Sequence, residues 1–338
     1  MLHVKNLIKH FGTQGSGNVV QAVNDVTFSV DQGETFALVG ESGSGKTTIG
    51  RCLLGLERPT GGEITFLGEN IGRSSDIKNN DIIKGKIQLV FQEPSESLNP
   101  KMRLHRIVEE PLMNLGLSRL DREKRVKNSF ARVKIPEKNL FKYPNELSMG
   151  LQQRIGIARA IVSEPKLIIL DEPTSALDPT ARADIIDLLI EIQKDLGTSY
   201  LFISHDLSAV RHISQKIAIL YLGKIIEQGY SDRIFSKPKH PYSLGLLSSV
   251  LLPSTRLLRP KSLSLAGEIP SPINLPSGCS LESRCPFAQE ICAKHPKVEK
   301  ISDSHFVSCS RHREVAKHYN AMDYFEKFSL EAKRVLLV

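Results

Sequence analysis

The 338-residue sequence has no apolar run long enough to cross a bilayer. Its longest mainly apolar stretch, Tyr242 to Leu252, is interrupted by Ser and Gly and falls well short of the ~18 residues a spanning helix needs. The first ten residues carry His3, Lys5 and Lys9 among their apolar ones, so they offer no uninterrupted signal-type core, and the chain is expected to stay in the cytoplasm. No internal repeat is evident. Neither sign of charge dominates: 45 Lys and Arg against 37 Asp and Glu leave +8, scattered along the chain, and charge alone selects neither nucleic acid nor membrane as a partner. With 40% hydrophobic and 24% charged residues, the composition excludes disordered, collagen-like and coiled-coil chains. At ~150 residues per domain, the length predicts one large domain and a smaller appendage.

What is present is an alternation. From Val19 to Gly229, short β-branched runs (Thr35–Val39, Ile87–Phe91, Leu167–Leu170 and Ser199–Ser204) alternate with helical patterns, as in an α/β layered domain with a mostly parallel sheet. Between the second and third runs, Pro94 to Pro165 is rich in Arg, Lys, Leu and Glu at helical spacing and reads as an inserted helical subdomain. Residues 217–229 place Gly223 between two apolar runs, which predicts a hairpin closing a domain over residues 1–235. Beyond it Pro238, Pro241, Pro253, Pro260, Pro270, Pro272 and Pro276 favour extended loops in a separate module, residues 236–338, whose last segment from Arg313 to Val338 reads as helical.

Gly40-Glu-Ser-Gly-Ser-Gly-Lys46-Thr47 follows one strand run and precedes a helical one. This is the GxxxxGK(S/T) phosphate loop in its required setting: Gly40, Ser42, Gly43, Ser44, Gly45 and Thr48 bring backbone N–H groups and hydroxyls around phosphates. Lys46 neutralises β/γ oxygens, and the Thr47 hydroxyl can ligate Mg²⁺. Asp171 and Glu172 end the buried run Leu167–Leu170, where two acids are costly unless used. Asp171 is expected to hold Mg²⁺ and Glu172 to orient and deprotonate the attacking water, although Asp-Glu-Pro could also serve as a helix N-cap. Cys52, alone in an apolar run, is expected to be a small buried thiol.

These residues, in this order, resemble the ATP-binding cassette (ABC) family, and the resemblance extends through nearly the whole chain. It implies an α/β P-loop NTPase core of the RecA-like kind with ATP and Mg²⁺ as ligands. Gln92 is then the glutamine that senses Mg²⁺ and water and leads into the helical subdomain. Ser175 and Asp178 are the loop lying across a dimer interface, and His205 is the switch histidine on the γ-phosphate. Phe11 falls at the adenine-stacking position, with core packing as the alternative. Leu147-Ser-Met-Gly-Leu-Gln-Gln-Arg154 is similar to the family signature. Ser148, Gly150 and Gln152 would face the nucleotide of an opposing subunit. Met149 replaces the first signature glycine, so a positive φ there would cost about 1–2 kcal/mol. Unequal sites, and a different ATPase chain as the partner, are expected from that departure.

Cys279, Cys285, Cys292 and Cys309 are separated by five, six and sixteen residues. Disulfides are disfavoured in cytosol, and the close CxxC pairs of zinc ribbons are missing, so the spacing leans to iron and sulfur over Zn²⁺. His240-Pro-Tyr242, Gly267 to Pro272 and Pro276 to Cys279 resemble the C-terminal extension of oligopeptide and dipeptide importer ATPases, and Arg51 to Glu57 with Phe91 to Pro100 resembles the second ATPase chain of such importers. That resemblance implies a [4Fe–4S] cluster at the four cysteines, with Zn²⁺ or plain thiols as alternatives. It also implies a second ATPase subunit, two membrane permeases and an external substrate-binding protein as partners, at the cytoplasmic face of the membrane. Peptide is the implied cargo, a nickel chelate or glutathione the alternative. A nucleic-acid-associated cassette normally carries tandem cassettes or a coiled-coil insert, neither of which is visible, so no nucleic acid is expected. A non-hydrolysing regulatory subunit is disfavoured by intact Lys46, Asp171, Glu172 and His205.

Overall fold

The computed structural model describes residues 1–12, 18–72, 83–248 and 263–318. Residues 13–17 of the loop after Phe11, together with Pro253, Pro260 and the helical reading beyond residue 318, lie outside them.

An eight-stranded sheet forms the centre, in the order β11 (Glu299–Ser302), β12 (His305–Val307), β10 (Lys224–Tyr230), β9 (Lys216–Tyr221), β3 (Thr35–Val39), β8 (Ser199–Ser204), β7 (Leu167–Asp171) and β6 (Ile87–Val90). Its middle is parallel: β3 (Thr35–Val39) lies between β8 (Ser199–Ser204) and β9 (Lys216–Tyr221), and β7 (Leu167–Asp171) between β8 and β6 (Ile87–Val90). All five residues of β3 are buried, as a strand covered on both faces requires. Its side chains divide with period two. Phe36 and Leu38 pack toward a four-stranded antiparallel sheet of β1 (Leu2–Gly12), β2 (Val19–Val30), β4 (Gly61–Phe66) and β5 (Glu69–Asn70), whereas Ala37 and Val39 pack toward the helices.

Helix α1 (Lys46–Leu53) follows β3 through the glycine-rich loop. Between β6 and β7 lie α2 (Pro94–Ser97), α3 (Leu104–Glu109), α4 (Arg119–Arg132) and α5 (Met149–Ile161), with no strand, and apolar residues of α3, α4 and α5 share one core with the sheet. Helices α6 (Pro179–Leu196) and α7 (Leu207–Ile213) flank β8, each begun by an aspartate. Asp178 accepts from the N–H groups of Thr180 and Ala181, and Asp206 from those of Ser208 and Ala209. The hairpin of β9 and β10 (Lys224–Tyr230) turns at Leu222 and Gly223, both at positive φ, the conformation a two-residue turn needs.

The chain beyond α8 (Ser231–Ser236) and α9 (Pro241–Ser248) joins this core instead of standing apart. After an irregular stretch, β11 (Glu299–Ser302) and β12 (His305–Val307) add to the sheet through antiparallel pairing of β12 with β10, before α10 (His312–His318). The reason is chemical: Glu227 on β10 is fully buried, and its carboxylate accepts from His305 Nε2 at 2.7 Å and from the N–H groups of Lys239 (2.7 Å) and His240 (2.9 Å). Among the described residues no helix is long and apolar enough to cross a membrane.

Candidate active site

The loop after β3 is shaped for close approach. A Cβ at Gly40 would stand 2.3 Å from the Leu220 carbonyl oxygen, and Gly45, at φ 103°, passes equally close to that of Ala22. Glu41 to Thr48 line a cleft of about 590 Å³ together with Val20, Ala22, Gln92, Glu172, His205 and Pro272. The parallel strands thus bring the phosphate loop, Glu172 and His205 to one edge, although 124 residues separate the Thr47–Asp171 pair in sequence.

Lys46 is buried and its ammonium donates to the carbonyls of Gly40 (2.8 Å) and Glu41 (3.0 Å). Burial draws its pKa below the ordinary lysine value, opposed by the carboxylates of Glu172, Asp171 and Glu41. Thr47 Oγ1 donates to Asp171 Oδ1 at 3.2 Å, and burial pushes the Asp171 carboxyl up against that bond. Two hard oxygen donors, one of them an under-compensated carboxylate, are the ligand type Mg²⁺ selects. Glu172 sits at φ 48°, a left-handed backbone costing about 1–2 kcal/mol, and its N–H is tied to the Ile203 carbonyl at 2.9 Å. Its Oε2 lies 2.9 Å from Nδ1 of His205, whose ring is largely exposed.

Other expected residues sit elsewhere. Phe11 does not line the cleft; it lies across the β1–β2 ladder from Val20, with the Lys9 ammonium 4.5 Å over its ring. Ser148, Met149 and Gly150 open α5 away from the cleft. Met149 has ordinary helical backbone, so the strain expected from its side chain is absent. Gln152 is buried and its amide donates to the carbonyls of Pro144 and Leu147, both at 3.1 Å, so it braces the turn before α5 instead of facing outward. Ser175 Oγ donates to the Glu172 carbonyl at 3.1 Å, and the Asp178 carboxylate is engaged as the α6 cap. Cys52 is buried, and its thiol is pushed up to about 11 by burial.

The four clustered cysteines line one small cavity of about 20 Å³ with His240 and Arg311. All are free thiols. Burial raises Cys279, Cys285 (to about 11) and Cys309 (to about 12), while the N–H groups of Leu281, Phe287 and Arg311, each two residues along, hydrogen-bond those sulfurs and act in the opposite direction. Among the described residues no three His, Cys, Asp or Glu side chains converge as metal ligands, so the expected cluster or zinc is not supported by the side-chain geometry.

A glycine loop between a parallel strand and a helix, facing a carboxylate at the end of the next strand but one in the sheet, defines a P-loop nucleotide hydrolase. The family profile described as "ABC transporter" matches residues 23–175, and that of the "Oligopeptide/dipeptide transporter, C-terminal region" matches residues 226–292. The chain is 44% identical over 295 residues to the oligopeptide transport ATP-binding protein AppF of Bacillus subtilis, covering 86% of this chain and 89% of that one. It is 42% identical to the dipeptide transport ATP-binding protein DppF of Haemophilus influenzae, with the same shares covered. The solved dimer of the ATP-binding cassette MJ0796 in a post-hydrolysis state bound to ADP and Pi superposes with a TM-score of 0.61 at 29% identity, covering 68% of this chain and 99% of that one. The chain belongs to the ABC transporter family of ATPases, in its oligopeptide and dipeptide branch.

Sequence reasoning gave Arg284, Pro272 and the hydroxyl of Tyr242 no part in the cleft, although Pro272 stood among the prolines and in a quoted motif of the C-terminal stretch. Tyr242 stood in a quoted motif, but a motif does not say what a hydroxyl reaches. No signal marked Arg284 beyond its place before Cys285.

Proposed function

We propose that this chain hydrolyses ATP to power the import of di- and oligopeptides. It acts from the cytoplasmic face of the membrane with a second ATPase subunit, two permeases and an external binding protein. The observation that carries the reading is the Glu172–His205 pair, 2.9 Å apart at the mouth of the phosphate-loop cleft. The peptide cargo is supported by the names of the relatives and by the C-terminal region they share with this chain.

The residues divide the work. Lys46 and the N–H groups of residues 43–48 bind the phosphates. Thr47 and Asp171 would hold Mg²⁺, which neutralises charge on the transferring phosphoryl group. Glu172 takes the proton of the attacking water, with His205 orienting its carboxylate and, with Gln92, reaching the γ-phosphate. Ser148 and Gly150, at the start of α5, serve the nucleotide of the opposing subunit through the helix N-terminus. Closure on ATP and reopening after hydrolysis gate the permeases.

Replacing Glu172 with Gln keeps the shape and removes the base. Turnover in the assembled transporter should fall by about 10² or more while ATP binding persists. Hydrolysis that survives this change, and stops with the equivalent change in the partner, would sink the assignment. For the four cysteines, we propose a [4Fe–4S] cluster, with Zn²⁺ as the alternative. The reading is supported by the four cysteines lining one cavity and by the N–H groups of Leu281, Phe287 and Arg311, which act to lower three of the thiols against burial. Iron and sulfide near four per chain after anaerobic purification is the expected result; one zinc without iron would contradict it.

A further inference from the structure

The C-terminal region grips the phosphate loop at its second residue, a contact the hydrolysis chemistry leaves unexplained. Glu41 is held at three points. Its N–H donates to the hydroxyl of Tyr242 at 3.1 Å, its carbonyl accepts from Lys46 at 3.0 Å, and its carboxylate accepts from Arg284 Nη1 at 3.2 Å. Arg284 is itself buried. The same nitrogen reaches the Tyr221 hydroxyl at 3.3 Å, its guanidinium lies 5.8 Å over the Tyr221 ring, and that ring packs 4.7 Å from Tyr242. Nearby, the Pro272 carbonyl accepts from the Gln21 N–H at 3.0 Å, which sets Pro272 into the wall of the cleft beside Val20 and Ala22.

We infer that Arg284 and Tyr242 are positioning residues for the phosphate loop, and that Arg284 keeps the Glu41 carboxylate turned away from the bound triphosphate. The inference rests on the reading of the cleft as an ATP site. A free carboxylate at Glu41 would act in two ways against binding. It would compete with phosphate for Lys46, whose field it already feels, and it would repel a ligand carrying several negative charges. A loop already held in shape also loses less conformational entropy when ligand arrives.

The test uses the full transporter complex, titrating a non-hydrolysable ATP analogue by calorimetry and measuring ATPase kinetics. Arg284→Ala should raise Kd and KM for nucleotide about tenfold, the loss of roughly one charge-assisted hydrogen bond, with kcat within about twofold. Adding Glu41→Gln, which removes the offending charge, should recover most of that loss, and Arg284→Lys should lose less than Ala. Unchanged affinity in Arg284→Ala, or a loss that Glu41→Gln does not relieve, overturns the inference, because a defect of packing alone would not answer to a charge at position 41. Should Arg284→Ala fail to assemble, Tyr242→Phe carries the test. It deletes one acceptor and leaves the tilted packing of the two rings in place, so Kd should rise about threefold, and an unchanged Kd overturns the clamp. A wild-type complex that took up no analogue would overturn the functional reading itself, whereas wild-type uptake with indifferent variants removes only this inference.

Discussion

Single residues carry opposite electrostatic problems on the two sides of Glu41. In the cleft, burial draws the Lys46 pKa down and pushes that of Asp171 up, and on the proposed function phosphates and a cation would offset those costs. Behind it, His240 is buried with nothing to gain from a charge. Burial pushes its pKa down to about 4, against the pull of Glu227. Its Nδ1 accepts from the Tyr242 N–H at 3.1 Å, a bond only the neutral ring can make. The folded chain therefore binds fewer protons than the unfolded chain between pH 6.5 and 4. Stability from this group is complete above about pH 6.5 and is lost as pH falls toward 4, roughly 3 kcal/mol in all. His240→Asn retains an acceptor and cannot titrate, so Tm against pH should fall less steeply in the variant across that window. Parallel curves would show that His240 does not carry the dependence.

At the scale of elements, the catalytic half of the site was legible because phosphate chemistry fixes residues to strand ends. Lys46 and Thr47 follow β3, Asp171 and Glu172 end and follow β7, and His205 follows β8. A parallel sheet aligns those ends without any knowledge of side-chain contacts. The aspartates were harder to read, since Asp178 looks the same in sequence whether it crosses an interface or caps α6, and the cap geometry decides only its bonds within the chain. Met149 shows the same limit. A missing glycine implied strain, but the residue begins α5, where right-handed backbone accepts any side chain. Arg284 and Tyr242 were illegible because their partner Glu41 lies 243 and 201 residues away. No local period or spacing encodes a contact made by folding the C-terminal strands back onto β10.

For the whole molecule, the proposed function requires two surfaces to work at once: the cleft for this chain's own nucleotide and the start of α5 for that of another subunit. Gly150 reports on the second. A Cβ there would meet nothing of this chain but the Ala181 Cβ at 3.7 Å, so its lack of a side chain answers no need for space inside the subunit. Gly150→Asp should therefore leave the isolated chain's stability within about 0.5 kcal/mol, and a carboxylate in the first turn of α5 is favoured by the helix dipole. The same carboxylate would stand where a γ-phosphate from the opposing subunit must approach, and would repel it. In a Glu172→Gln background, where bound ATP is not consumed, the ATP-driven association of the two ATPase chains should weaken at least about tenfold, as measured by size-exclusion chromatography with light scattering. Association that proceeds unchanged with Asp at position 150 would mean that α5 does not face the partner's nucleotide, and the pairing expected from the signature would fail with it.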